Sequence, residues 1–161
     1  MKKLIFIAAL LCSIGFVEAQ ESTATLEETL EWLKSKLDGN IQKYDTRDIK
    51  WNFSYDLNKK TITYYSDPHE GGGDLNIIYK TNYRVNICDI DTVYIEDIQG
   101  SKKLIIEAPN KIYINSSVDG RPSFRMDNYF YLFHPSMNEL SDRLIKAFNH
   151  AVKLCKESEK F

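Results

Sequence analysis

The middle of the chain alternates. Ile49, Trp51, Phe53, Tyr55 and Leu57 stand at every second position, with Lys50, Asn52, Ser54 and Asp56 between them. Successive side chains of a strand point to opposite faces, so this segment reads as a strand with one face buried and one wet. The period is different at the two ends. Leu26, Leu30, Leu33 and Leu37 recur at helical spacing, and Leu140, Leu144, Ala147, Phe148, Ala151, Val152 and Cys155 form a broad apolar helical face near the end. A chain that runs from a helical period to a period of two and back again is expected to fold as α+β.

Local signals mark the element ends. Thr25-Leu26-Glu27-Glu28 reads as a capping box, in which Thr25 accepts from a backbone N–H and Glu28 reaches back. Gly39 is a C-terminal stop. Asn58-Lys59-Lys60 is a turn, so Thr61 to Ser66 returns as the second strand of a hairpin. Further strands are predicted over 75–87, 91–97, 103–107, 111–116 and 123–133, with Ala108-Pro109-Asn110 separating the third from the fourth and a loop over 118–122. Ser136-Met137-Asn138-Glu139 reads as a second capping box, opening a helix that runs to about Lys156.

Residues 1–19 read as a cleaved secretory signal peptide. Lys2 and Lys3 form the positive start, Leu4 to Val17 the apolar run, and Val17-Glu18-Ala19 the cleavage site. The run is shorter than the roughly 20 apolar residues that span a membrane. Residues 20–161 then form a single domain, secreted or periplasmic, with no membrane span after cleavage. The formal net charge of the whole chain is −2. Nucleic-acid binding needs a basic footprint that this near-neutral chain lacks. Two cysteines lie beyond the leader. Cys155 falls on the apolar helical face, and Cys88 continues the polar parity of Arg84 and Asn86. Opposite placement favours two free thiols, with a disulfide as the alternative.

Two segments carry a resemblance. Tyr83-Arg84-Val85-Asn86-Ile87-Cys88-Asp89-Ile90-Asp91-Thr92-Val93 is a strand, an aspartate-isoleucine corner and a second strand; with the order of elements, it resembles the pleckstrin-homology-like fold. Arg143 to His150 looks like the capping helix of small exported proteins of the Bacteroidetes group. The resemblance implies about seven antiparallel strands in a barrel-like sandwich plugged by the C-terminal helix, and the N-terminal helix is an addition that departs from the plain fold. The alternative is an open sheet with both helices on one face.

Chemistry is sparse. His69, with Asp67, Glu70 and Asp74, is a weak metal candidate, because it offers one imidazole and no repeated ligand spacing. A solvated polar loop is the preferred reading there. His134 reads as a structural histidine at a strand–helix junction, and His150 as an edge residue of the helix. No nucleophile elbow or phosphate loop is present. Tyr65 and Tyr113 stand opposite the aliphatic residues of their strands, and Tyr129 and Tyr131 lie in the segment Tyr129 to Phe133, where apolar residues stand on both parities. Burial beneath the N-terminal helix is the preferred reading of these tyrosines, and a partner-binding surface the sharper one. The expectation is an exported, non-catalytic binding or scaffold domain, without a cofactor, that recognises a protein or envelope component. Its alternatives are a metal-dependent hydrolase built on residues 67–74 and a carrier of lipid or another small molecule.

Overall fold

A computed structural model describes residues 23–43, 48–67, 69–70, 78–98 and 100–160. The leader expectation over 1–19 lies outside these residues, as does most of the glycine-rich stretch. The elements run α1 (Leu26–Leu37), β1 (Asn40–Lys43), β2 (Asp48–Asp56), β3 (Thr61–Ser66), β4 (His69–Glu70), β5 (Ile78–Asn86), β6 (Thr92–Ile98), β7 (Ser101–Val118), β8 (Arg121–Leu132) and α2 (Met137–Ser158). The fold is α+β, with an N-terminal helix, an antiparallel sheet and a C-terminal helix.

The capping box of α1 forms as read. Glu28 N–H donates to Thr25 Oγ1 at 3.2 Å, and Thr25 N–H donates to Glu28 Oε2 at 2.8 Å. Gly39 follows the helix at φ +72°, a conformation that costs a side-chain-bearing residue strain. The second capping box does not form. Among the described residues the Ser136 side chain makes no capping bond; instead the Ser136 N–H donates to His134 Nδ1 at 2.9 Å.

All strands pair antiparallel in one sheet, in the order β1-β2-β3-β5-β7-β6. Strand β4 pairs β5, and β8 pairs the opposite edge of β7. The two strands expected on either side of Ala108-Pro109-Asn110 are one. β7 is continuous over 18 residues, and its ladder with β8 shifts register between Glu107 and Ile112. Pro109 does not end the strand because it falls inside this bulge, where a missing donor is tolerated. Asn110 takes φ +56°, and its N–H is bonded by the Asn128 side chain. The expected loop over 118–122 is a two-residue turn at Asp119-Gly120, both at positive φ, as the hairpin turn that matches strand twist requires.

The barrel does not close. The bulge bends the β7–β8 hairpin so that the end of β8 comes back over β3. There Phe133 N–H donates to Tyr64 Oη at 3.0 Å, and the ring of Phe130 lies on that of Tyr83 at 5.2 Å. Among the described residues no ladder joins β8 to β1. Leu30, Leu33 and Leu37 of α1 and Leu144, Phe148 and Ala151 of α2 share one core cluster with Phe53, Ile62, Val85, Ile106 and Phe130. Both helices therefore cover the same face of a curled but open sheet.

The cysteines pair, against the reading of two free thiols. Cys88 and Cys155 form a disulfide with Cα atoms 5.3 Å apart. Strand parity stops at Asn86, whose side chain accepts from Cys88 N–H and starts a 3₁₀ turn over Ile87–Asp89. Cys88 is thereby rotated out of the Arg84–Asn86 row towards α2. Lys156 Nζ donates to Ile90 O at 3.2 Å beside the bridge, so the end of α2 is tied to this corner twice.

Candidate binding surface

Because α1 and α2 share one face, the other is left without a helical cover. Tyr129, Tyr131 and Tyr94 are exposed on it, and the expected burial of the tyrosines beneath α1 is not found. The registers explain the cluster. Ile105 pairs Tyr94 on one side and Tyr131 on the other, and Glu107 pairs Thr92 and Tyr129. Directly paired residues share a face, so Tyr94, Ile105 and Tyr131 form a row across three strands. Ile105 is only 1% exposed yet lies outside the core cluster, which places it under the tyrosines on the outer face.

Polar contacts fix the rings. Tyr94 Oη donates to Glu107 Oε1 at 3.0 Å, and Thr92 Oγ1 to Glu107 Oε2 at 2.7 Å. The bond to Glu107 raises the Tyr94 phenol above its ordinary range. Desolvation, followed by the neighbouring Tyr129, raises that of Tyr131. Tyr129 and Tyr131 lie 5.8 Å apart by ring centroid, and Lys103 Nζ sits 4.9 Å above the Tyr131 ring. A cation over a ring face is attracted to its quadrupole. Next to Tyr131 and Lys103, where the sheet fails to close, is a notch of about 190 Å³ lined chiefly by Gln42, Trp51, Tyr83 and Phe133. Trp51 Nε1 donates to Gln42 Oε1 there at 3.1 Å. Together these residues form an aromatic platform with a pocket at its margin.

Tyr65 and Tyr113 belong to the same outer face but to its other half, beyond the bulge. Tyr113 lies between the Arg84 guanidinium at 5.1 Å and the Phe124 ring at 6.1 Å. Tyr65 is half-buried, paired with Asn52 and Asn82. Of the four tyrosines singled out in the sequence, only Tyr129 and Tyr131 are exposed in one cluster. Tyr94, Ile105, Phe124 and Met126 were missed. Their signal was present as parity: Tyr94 stands between the inward Val93 and Ile95, and Ile105 between Leu104 and Ile106.

The metal candidates are not assembled by what is described. Asp67 accepts from Asn52 Nδ2 at 2.8 Å and pairs with Lys50 at 3.7 Å. His69 and Glu70 lie in β4, and Asp74 lies outside the described residues. Among the described residues no group of three or more His, Cys, Asp and Glu side chains could hold a metal ion. His134 accepts from Ser136 N–H, and burial, then the nearby Lys36 charge, lowers its pKa. His150 Nε2 bonds Ala24 O at 2.8 Å, joining α2 to the start of α1. A carbonyl can only accept, so Nε2 carries the proton.

A second concavity, about 450 Å³, is an open groove between the helices lined chiefly by Trp32, Arg143, Lys146 and His150. The Arg143 guanidinium lies 5.3 Å from the Trp32 ring, so these two groups of the groove are engaged with each other. Among the described residues no helix is long and apolar enough to cross a membrane. Comparison of the chain with protein-family models, curated proteins and solved structures finds no match.

Proposed function

We propose that this chain is a non-catalytic binding domain whose outer face, built from Tyr94, Tyr129 and Tyr131 around Ile105, recognises a protein partner. The observation that carries the reading is the exposure of these three rings over a buried isoleucine, on the face that neither helix covers. Tyrosines supply large rigid contact area with a hydroxyl at the tip, the composition enriched at interface cores. The notch beside Tyr131 suits an inserted apolar side chain of the partner. Lys103 and Glu107 bring both signs of charge into the patch, which suits a protein surface better than an anionic lipid head group. The near-neutral net charge points the same way.

The leader over 1–19 supports an exported domain, secreted or periplasmic, and the partner would then be met in that compartment or at the envelope. Strands followed by a C-terminal helix on the core side favour the pleckstrin-homology-like reading, while the open sheet and added α1 depart from it.

The test is affinity purification from the protein's own cells with the wild-type chain and with Tyr129→Ala/Tyr131→Ala. A protein retained by the wild type is then purified and titrated against both. A partner that binds the wild type and loses about tenfold or more with the variant supports the reading, since a central aromatic contributes on the order of 1–2 kcal/mol or more. Equal binding by both proteins overturns it.

A further inference from the structure

Beyond the tyrosine platform, the far half of β8 carries a second surface of different construction. Strand β8 is an edge: among the described residues it pairs only with β7. Its segment from Arg121 to Asp127, Arg-Pro-Ser-Phe-Arg-Met-Asp, lies before the bulge and keeps an unbroken register with β7. Phe124 is 58% exposed and Met126 51%.

The segment is two-sided. Val118 and Arg121 close the two-residue turn, and residues that close such a turn exchange both backbone bonds. By alternation, Arg121, Ser123, Arg125 and Asp127 direct their backbone groups at β7, and Pro122, Phe124 and Met126 direct theirs at the open edge. The side chains divide in the same way. Pro122, Phe124 and Met126 are all apolar and share the face of Tyr113, which pairs Met126. Arg121, Ser123, Arg125 and Asp127 are all polar; Arg121 puts a positive charge at one end, and Asp127 a negative charge at the other, where it also pairs with Arg125 at 3.6 Å.

We propose that this edge pairs with the same edge of a second copy of the chain, antiparallel about a two-fold axis through Phe124. In that register Arg121 stands opposite Asp127 of the second copy, and Asp127 opposite its Arg121. Phe124 stands opposite itself, and Pro122 opposite Met126. All apolar residues meet on one face and all charges on the other, and both end pairs are of opposite sign. Phe124 exchanges both backbone bonds with its mate. Met126 N–H donates to the Pro122 carbonyl, which needs no donor from proline. A parallel arrangement would oppose like charges. Of the devices that guard an edge, this edge uses Pro122, which removes one outward donor, and the bulge beyond Asp127; its outward apolar row carries no charge, so Phe124 and Met126 keep their edge groups open to a mate whose register matches. An isologous contact of this kind closes as a dimer and does not propagate.

The experiment is sedimentation equilibrium of the oxidised full chain across a range of concentrations. It compares the wild type with Arg121→Asp, Asp127→Arg and the double swap, each checked for folding by its thermal melt. The wild type is expected to dimerise. Each single swap opposes like charges at both ends and should weaken the dimer by about tenfold or more, whereas the double swap restores opposite pairs and should recover it. A wild type that stays monomeric up to the millimolar range, single swaps that dimerise like the wild type, or a double swap that fails to recover would each overturn the proposal. The tyrosine platform is left intact in every variant, so its binding is unaffected by any of these results.

Discussion

The bond between Cys88 and Cys155 makes a strong and separable claim about stability. It joins positions 67 residues apart. Closing a loop of that length removes unfolded-state entropy equivalent to about 4 kcal/mol in the chain-entropy account. A domain of roughly this size loses about 3–4 °C of melting temperature per kcal/mol, so reduction should lower Tm by about 15 °C. Cys88→Ala/Cys155→Ala should lower it slightly further, by up to about 1 kcal/mol, because Cys155 is fully buried and its sulfur leaves a small void. The assay is calorimetry with and without reductant, next to mass spectrometry of the unreduced protein after alkylation. Peptides containing Cys88 and Cys155 should be recovered cross-linked. Alkylation of both thiols without reduction, or a Tm that moves by less than about 2 °C on reduction, would refute the reasoning. Amide exchange should localise the effect: the last turns of α2 should open first, because the bridge and Lys156 secure them.

Other outcomes follow from single contacts. Tyr64→Phe removes the hydroxyl that bonds Phe133 where the curled sheet nearly closes. Chemical denaturation should show a loss of about 1 kcal/mol, the cost of leaving a partly buried amide unpaired. Ile105→Ala should cost about 2–4 kcal/mol although it lies on the outer face, whereas Tyr129→Ala should cost under about 1 kcal/mol. The reverse order would mean that the face assignment is wrong. The folded-state pKa of His134 lies below its ordinary value of 6.5, so the unfolded chain takes up the proton more readily. Stability should be full above about pH 6.5 and fall as the pH drops towards the folded value. His134→Asn keeps an acceptor for Ser136 N–H and should flatten that part of the Tm–pH curve.

The sequence made local structure legible where one residue type at one spacing has one use. The Thr25–Glu28 box, the Gly39 stop and the β2–β3 hairpin are of this kind. Strand β1, Asn-Ile-Gln-Lys, has no period to detect and owes its existence to the edge of β2 that it pairs. Pro109 looked like a break because its missing N–H matters in a regular ladder and not in a bulge. Cys88 was misplaced because parity was extended through Asn86, where a side-chain bond ends the strand. At the site, Tyr129 and Tyr131 could be seen to share a strand end that is apolar on both parities, but which face a helix covers depends on where α1 docks. That is settled by the joint packing of Leu30, Leu33 and Leu37 with α2, not by anything within β8.

If the tyrosine face around Ile105 binds a protein, a probe placed within that face must meet the partner. Site-specific photo-crosslinking in the native cells tests it most directly, with a photoreactive phenylalanine placed at Tyr131 and, as a control, at Lys59 in the exposed β2–β3 turn. A discrete cross-linked protein is expected from position 131, absent from position 59 and competed away by excess wild-type chain. No adduct at 131, or the same adducts from both positions, would contradict it.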